Sequence, residues 1–338
     1  MPELAGMLIR FRIPTIAIWA DIEKAFHCLE LDPDDREILK LIWLKDIRKP
    51  ISKENIRYLR FSKVPFGIIS SPFLLSATVR HHLETIDDPI AQIVKNNSYV
   101  DNILIGVEST KEAWEAYTRL KNIFKTAEMN LREFISNCSE FNEKVPIEDR
   151  LEKSNPKILG IPWNIETDKI SIVFPSVGTN IKFNKRLVLK QLASVFDPHG
   201  FASPSLLFAK LFFQSLWEKQ REWDTSLSED ESKKWSNIIE TWKIPPIEIE
   251  RKIIDKNGNF QLHVFSDSSK DAYAACVYMY CEFNGKISVN LLYSRNRLRP
   301  KKMTISIPRM ELLGVLIATR AINFVKKQLG INICEKYL

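Results

Sequence analysis

The chain has 338 residues, 45% hydrophobic and 27% charged, which excludes a disordered or fibrous protein and is too long for one ordinary core, so two or three domains are expected. Lys and Arg number 49 against 42 Asp and Glu, and this excess of +7, spread along the chain, favours a polyanionic partner. The longest apolar run, Ser205 to Trp217, is too short to span a bilayer and is interrupted by Lys210, so no membrane partner is expected.

The five cysteines (Cys28, Cys138, Cys276, Cys281 and Cys334) are far apart and form no CxxC pair, which reads as reduced thiols and neither a disulfide framework nor a zinc site. The opening Met-Pro-Glu-Leu lacks the charged and apolar regions of a signal peptide. Cytosol or nucleus is the expected location.

In chain order, Ile13 to Ala20 is β-branched and apolar, a buried strand that delivers Asp21 at its end. Asp32 to Arg36 is a turn capping a short helix, Leu41 to Leu44 resumes strand character, the charged stretch Lys45 to Arg57 reads as a hairpin loop, and Tyr58 to Val64 as another strand. Pro65 to Pro72 bends the chain into a helix running to about Ile86, with Ser71 as N-cap and Pro72 at the first helical position. Tyr99-Val100-Asp101-Asn102 then places a carboxylate and a carboxamide at a bend between two short apolar runs, as a β-hairpin tip would. Thr110 to Glu128 has helical apolar spacing, Met129 to Ser136 is extended, and the polar stretch Asn137 to Asn155 reads as irregular and as a domain boundary. A small hairpin is expected around Glu166-Thr-Asp168, followed by helices at about Asn184 to Phe196, Ser203 to Trp223 and Ser228 to Trp242, the last opening with a capping-box pattern. Ile244-Pro-Pro246 marks a second boundary. Beyond it come a strand ending in Asp267, two more strands at Ala272 to Glu282 and Lys286 to Tyr293, and a helix from about Pro308 to Lys327.

Two strand-end acids such as Asp21 and Asp101 suit two-metal nucleotidyl transfer, in which two magnesium ions about 4 Å apart deprotonate a hydroxyl and stabilise a pentavalent phosphate. Magnesium takes hard oxygen ligands and keeps much of its water, so two or three carboxylates on neighbouring strands suffice. On their own, an Asp-Asn turn and a strand-end Asp are equally the marks of ordinary structure.

Ala20-Asp21-Ile-Glu-Lys-Ala-Phe26, Val64-Pro-Phe-Gly-Ile-Ile-Ser-Ser-Pro-Phe-Leu-Leu75 leading into Val79-Arg-His-His-Leu83, and Tyr99-Val-Asp-Asn102 resemble, in order and spacing, three motifs of reverse transcriptases, closest in wording to the BEL/Pao group of long-terminal-repeat retrotransposons. Asn130 to Asn137, Ile158 to Trp163 and Leu192 to Pro204 are similar to the same group's polymerase tail and connecting region. The resemblance implies a mixed α/β (α+β) architecture: a reverse transcriptase palm with partial thumb, a helical connection and a partial RNase H-like α/β domain. The implied divisions are palm at 1–137 with most of the fingers missing, thumb and connection at 138–246, and RNase H-like domain at 247–338. It also implies an RNA-directed DNA polymerase that takes an RNA template, a DNA primer, an RNA/DNA hybrid and deoxynucleoside triphosphates, uses Mg2+ or Mn2+, and belongs to a longer Pol polyprotein in a cytoplasmic virus-like particle or the nucleus.

Carried over by position, Asp21 would be the first metal ligand with the Ile22 carbonyl as a second, and Asp101 and Asn102 the next pair. Phe26 would stack under the incoming sugar, Phe66 and Gly67 would touch nucleotide and template, and Met129, Asn130, Leu131 and Arg132 would hold the primer end. His81 and His82 match a dipeptide of the group, but on an apolar helix they read as packing and capping residues. Asp267 and Glu311 resemble the first two metal ligands of a ribonuclease H domain. Three departures matter: Asn102 stands where the family has a second aspartate, most of the fingers is missing, and the chain ends before a third ribonuclease H acid. They imply a fragment with an impaired polymerase site, or a nucleic-acid-binding remnant without chemistry. An aspartic-type peptidase is disfavoured because no Asp-Thr/Ser-Gly triplet occurs.

Overall fold

Five consecutive buried residues, Ile16 to Ala20, make β1 (Ile16–Ile22) a central strand in the computed structural model, which describes residues 2–151, 155–176, 182–218, 222–254, 258–301 and 305–330. The chain divides into two compact units, one of Met1–Pro2 and Ile16–Glu152, the other of Glu3–Thr15 and Lys153–Leu338. A helix that the sequence pattern did not announce, α1 (Leu4–Phe11), precedes β1 and belongs to the second unit.

In the first unit β1 is followed by a two-stranded ribbon, β2 (Lys40–Leu44) with β3 (Ile56–Arg60), and by helices α2 (Ser71–Glu84) and α3 (Pro89–Asn97). Then come the hairpin β4 (Ser98–Tyr99) and β5 (Asn102–Val107), helix α4 (Thr110–Thr126), β6 (Leu131–Ser136) and α5 (Ser139–Lys144). The main sheet is antiparallel in the order β4-β5-β1-β6. Its core joins Ile18, Ala20 and Ile22 of β1 to Ile103 and Ile105 of β5, beneath Leu75 and Val79 of α2, Val94 of α3 and Leu120 and Phe124 of α4.

Three local expectations for this unit are corrected. The N-cap of α2 is Ser70, and Ser71 sits inside the helix because its hydroxyl donates to the Pro65 carbonyl at 2.8 Å. The strand expected at Tyr58 to Val64 ends at Arg60, and Val64 turns away to pair its N–H with Leu29. The polar stretch after Ser136 is not irregular: Asn142 of α5 accepts from the Ser136 N–H (2.9 Å) and donates to its carbonyl (2.7 Å), and Phe141 is fully buried. His82 has the packing role expected, its ring meeting the Ile123 carbonyl at 2.9 Å.

The second unit continues with strands β7 (Lys157–Ile158), β8 (Ile161–Asn164) and β9 (Lys169–Ile172), and helices α6 (Lys185–Ala193), α7 (Ser203–Glu218) and α8 (Glu229–Glu240). Strand β10 (Ile247–Glu250) joins the first three in the order β10-β9-β8-β7. The capping box of α8 forms as expected, the Ser228 hydroxyl accepting from Glu231 N–H while the Glu231 carboxylate accepts from Ser228 N–H. Fully buried Trp235 stacks on Phe212 at 5.4 Å and donates its indole N–H to Gln191. Last come β11 (Asn259–Ser268), β12 (Ala272–Phe283) and β13 (Lys286–Leu298), an antiparallel meander, and α9 (Ile307–Leu329) packed on one face of it. The sequence expectation ended the last strand at Tyr293. It runs five residues further, pairing Arg295 with Ala275 and Arg297 with Tyr273. Cys334 lies outside the described residues.

Arg251 holds the N-terminal segment in this unit. Its guanidinium has no exposed surface, forms a two-point ion pair with Asp168 (2.6 and 2.7 Å) and donates to the carbonyls of Phe11, Pro14 and Thr15 at 2.8–3.0 Å. Each donor of the planar fork meets an oxygen, which is the condition for burying a guanidinium without a large penalty. No helix among the described residues is long and apolar enough to cross a membrane.

Candidate active site

The antiparallel pairing of β1 with β5 sets Asp21 directly opposite Asn102, so the two acids separated by eighty positions meet at one end of the sheet. The β4–β5 connection is a two-residue loop, Val100-Asp101, between the paired residues Tyr99 and Asn102. Val100 adopts a left-handed backbone (φ 57°), a strained conformation for a β-branched residue that the tight reversal imposes. The loop is pinned to β1 by the Ile22 N–H, which donates to the Asp101 carbonyl at 2.9 Å.

Asn102 is held at both ends. Its amide oxygen accepts from the Trp19 indole N–H at 2.9 Å, and its NH2 donates to the Asp101 carboxylate at 2.6 Å. The side chain therefore turns its oxygen away from the acids and presents a donor to Asp101. The amide provides an acceptor for Trp19 and a donor for Asp101 together, which an ionised carboxylate in its place could not.

Asp21 is half-buried, and its carboxyl is pushed up to about 7, first by burial and then by the like charges of Asp101 and Glu133, with Arg132 opposing. Glu133 reaches this neighbourhood through an irregularity: the β1–β6 register shifts between Trp19 and Asp21, and Glu133 there has φ 56°. Sequence reasoning missed Trp19 and Glu133. Strand alternation could have found Trp19, two residues before Asp21 and on the same face; nothing in the local sequence marks the bulge.

A divalent cation suits the donor set at this point. Asp21 and Asp101 are hard oxygen donors whose mutual repulsion a cation relieves, and magnesium is commonly held by only one or two protein carboxylates. Asn102 adds no oxygen to them, its acceptor being committed to Trp19. Among the described residues there is no group of three or more His, Cys, Asp or Glu able to hold a metal ion.

The other expected polymerase residues also belong to the first unit. Ile22 is buried behind Asp21, and Phe26 is also buried, its ring meeting the exposed ring of Phe66 edge-on at 5.1 Å, so Phe66 and not Phe26 offers the open aromatic surface. Gly67 has φ 88° and no atom within 4 Å of where a Cβ would stand, which leaves its backbone open to close approach. Met129 and Leu131 are core residues, whereas Asn130 and Arg132 face Glu23: the Asn130 amide donates to its carboxylate at 3.0 Å, and the Arg132 guanidinium lies 3.4 Å from it.

In the second unit, exposed Asp267 sits near the end of β11 and exposed Glu311 in the first turns of α9. The two elements are joined where the Ser268 hydroxyl donates to the Met310 carbonyl at 2.8 Å. Gly314 permits that approach, since a Cβ there would stand 2.8 Å from the Ser268 oxygen. A hollow of about 460 Å³ lies beside Asp267, walled by Phe201, Phe265 and Tyr278.

Residues 12–160 match the family described as reverse transcriptase (RNA-dependent DNA polymerase), and residues 184–338 match the Pao retrotransposon-like RNaseH-like domain. No curated protein matches the chain. Among solved structures, a foamy viral protease-reverse transcriptase in complex with an RNA/DNA hybrid is similar in fold, with a TM-score of 0.56 and 14% identity over 99% of this chain. The chain spans 40% of that protein's length. Reverse transcriptases as a family use divalent metal ions. A reverse transcriptase match followed by a Pao retrotransposon-like RNaseH-like match, with a retroviral reverse transcriptase as structural neighbour, supports a retrotransposon reverse transcriptase fragment.

Proposed function

We propose that the chain is the polymerase core of a retrotransposon Pol polyprotein, extending a DNA primer on an RNA template with deoxynucleoside triphosphates. The observation that carries this reading is the pairing of β1 with β5, which sets Asp21 beside the Asp101 loop on a rigid sheet. Asp21 and Asp101 would hold Mg2+, or Mn2+, which supplies charge to lower the pKa of the primer hydroxyl and to stabilise the phosphate under attack. Asp21 would hold the cation as a carboxylate, and the cation's charge offsets the burial and the Asp101 repulsion that favour its protonated form without metal. Asn102 keeps Asp101 oriented by donating to its carboxylate. Phe66 and the open backbone at Gly67 offer a surface for nucleotide and template, and Asn130 and Arg132, braced by Glu23, for the primer end.

In the second unit, Asp267 and Glu311 would form the acid pair of a ribonuclease H-like site for an RNA/DNA hybrid. We place this work in a cytoplasmic virus-like particle or the nucleus, alongside the rest of the polyprotein.

The test is deoxynucleotide incorporation by the purified chain on a primed RNA template with Mg2+ and then Mn2+, beside Asp21→Ala. Extension that the variant abolishes supports the reading. Salt-sensitive template binding without extension under either metal would overturn it in favour of a silent binding protein.

A further inference from the structure

The inner face of an edge strand should be apolar where a helix packs over it, and β13 departs from that rule. Tyr293, Arg295 and Arg297 occupy alternate positions and so share one face. They line a cavity of about 430 Å³ together with Leu313, Leu316, Ile317, Arg320, Ala321 and Phe324, which recur at helical spacing on one side of α9. Tyr293 and Phe324 touch at 5.3 Å, and Tyr273 adds a third aromatic wall.

Three exposed arginines thus line one hollow of ligand size. None of the three makes a side-chain hydrogen bond or ion pair among the described residues, and Glu3, at the start of α1, is the sole acid lining the cavity. A charge on an edge strand discourages edge-to-edge pairing, but one arginine would serve that end. Three around an aromatic-walled cavity leave a local excess of positive charge that matches several phosphate groups. Guanidinium forks bind phosphate oxygens in pairs, and aromatic walls can stack a planar base.

We propose that the cavity between β13 and α9 binds a polyphosphate anion, either free or as the tail of a nucleoside polyphosphate. Arg295, Arg297 and Arg320 supply the phosphate contacts, and Tyr293 and Phe324 the wall on which a base would rest. Asp267 and Glu311 do not line this cavity, and the proposal is independent of the polymerase reading.

The full chain is titrated calorimetrically with inorganic tripolyphosphate, with dATP and with a short single-stranded deoxyoligonucleotide, in EDTA and at physiological salt. Removing divalent metal silences the Asp21 and Asp101 position, so failure here leaves the polymerase reading untouched. We expect saturable binding of one tripolyphosphate per chain, weakened at least about tenfold in Arg297→Ala/Arg320→Ala, equivalent to about 1.4 kcal/mol. The same loss should appear in Arg297→Gln/Arg320→Gln, which keeps side-chain bulk if the alanine variant fails to fold. Tighter binding of dATP than of tripolyphosphate identifies a nucleotide as the source, and equal affinity identifies free polyphosphate. Absence of saturable binding, unchanged affinity in a folded double variant, or oligonucleotide binding that tripolyphosphate does not displace would each overturn the proposal.

Discussion

Replacing Asn102 by Asp, the residue the family pattern favours, should destabilise the metal-free protein and make its stability depend on divalent metal. The amide donates to Asp101 at 2.6 Å, and a hydrogen bond to a charged group contributes about 1.5–3 kcal/mol. A carboxylate in its place removes that donor and sets two like charges in near contact, a repulsion of about 4 kcal/mol at 4 Å and an effective dielectric of 20. Relaxation and partial protonation absorb some of this, leaving a loss of roughly 2–4 kcal/mol at pH 8 in EDTA. For a unit of this size the melting temperature should fall by about 5 °C or more. At pH 5 the difference should shrink, because a proton shared between the two carboxyls restores a donor. Saturating Mg2+ or Mn2+ should recover most of the loss by binding the folded state. The assay is thermal unfolding of both proteins at pH 5 and pH 8, in EDTA and in each metal. Equal melting temperatures at pH 8 in EDTA would refute the reasoning, since Asn102 could not then be the donor that holds Asp101.

Two further expectations follow from buried charge. The Asp21 carboxyl titrates higher in the folded protein than its ordinary 3.8, so the stability this group contributes is complete below about 4 and lost as pH rises through about 7. In EDTA, Asp21→Asn should therefore flatten the stability profile between pH 4 and pH 7, and a profile identical to wild type would refute the burial argument. Arg251→Met leaves the Asp168 carboxylate with the Trp163 indole N–H but no opposing guanidinium charge, takes the donors from three carbonyls, and should cost about 3–5 kcal/mol by urea unfolding. It should also expose residues 3–15 to limited proteolysis, whereas an unchanged cleavage pattern would mean that other contacts anchor the segment.

Much of the fold could be read from local pattern. The apolar run Ile13 to Ala20, of which Ile16 to Ala20 became the buried core of β1, the reversal at Tyr99 to Asn102, the helical spacing after Thr110 and the capping box at Ser228 each lie within a few residues, and the last three became the elements expected. Asp21 and Asp101 were legible for the same reason, since a strand end and a hairpin tip are local features. The polar stretch after Ser136 misled because it lacks apolar periodicity, while Asn142 and Phe141 fix its helix through contacts with β6 and the core.

The sequence by itself determined most of the strands and helices of the chain and the acids at the ends of β1 and the β4–β5 hairpin, because backbone periodicity, capping and turn preference act over a few residues. Only the tertiary structure decided that β1 lies between β5 and β6, that Trp19 claims the Asn102 oxygen, and that a bulge brings Glu133 towards Asp21. It alone also decided that Arg251 gathers residues 3–15 into the second unit and that three arginines share a cavity with α9. Those arrangements depend on strand register and on contacts between residues tens to hundreds of positions apart. A shift of one residue in register would turn each of the strand side chains to the opposite face.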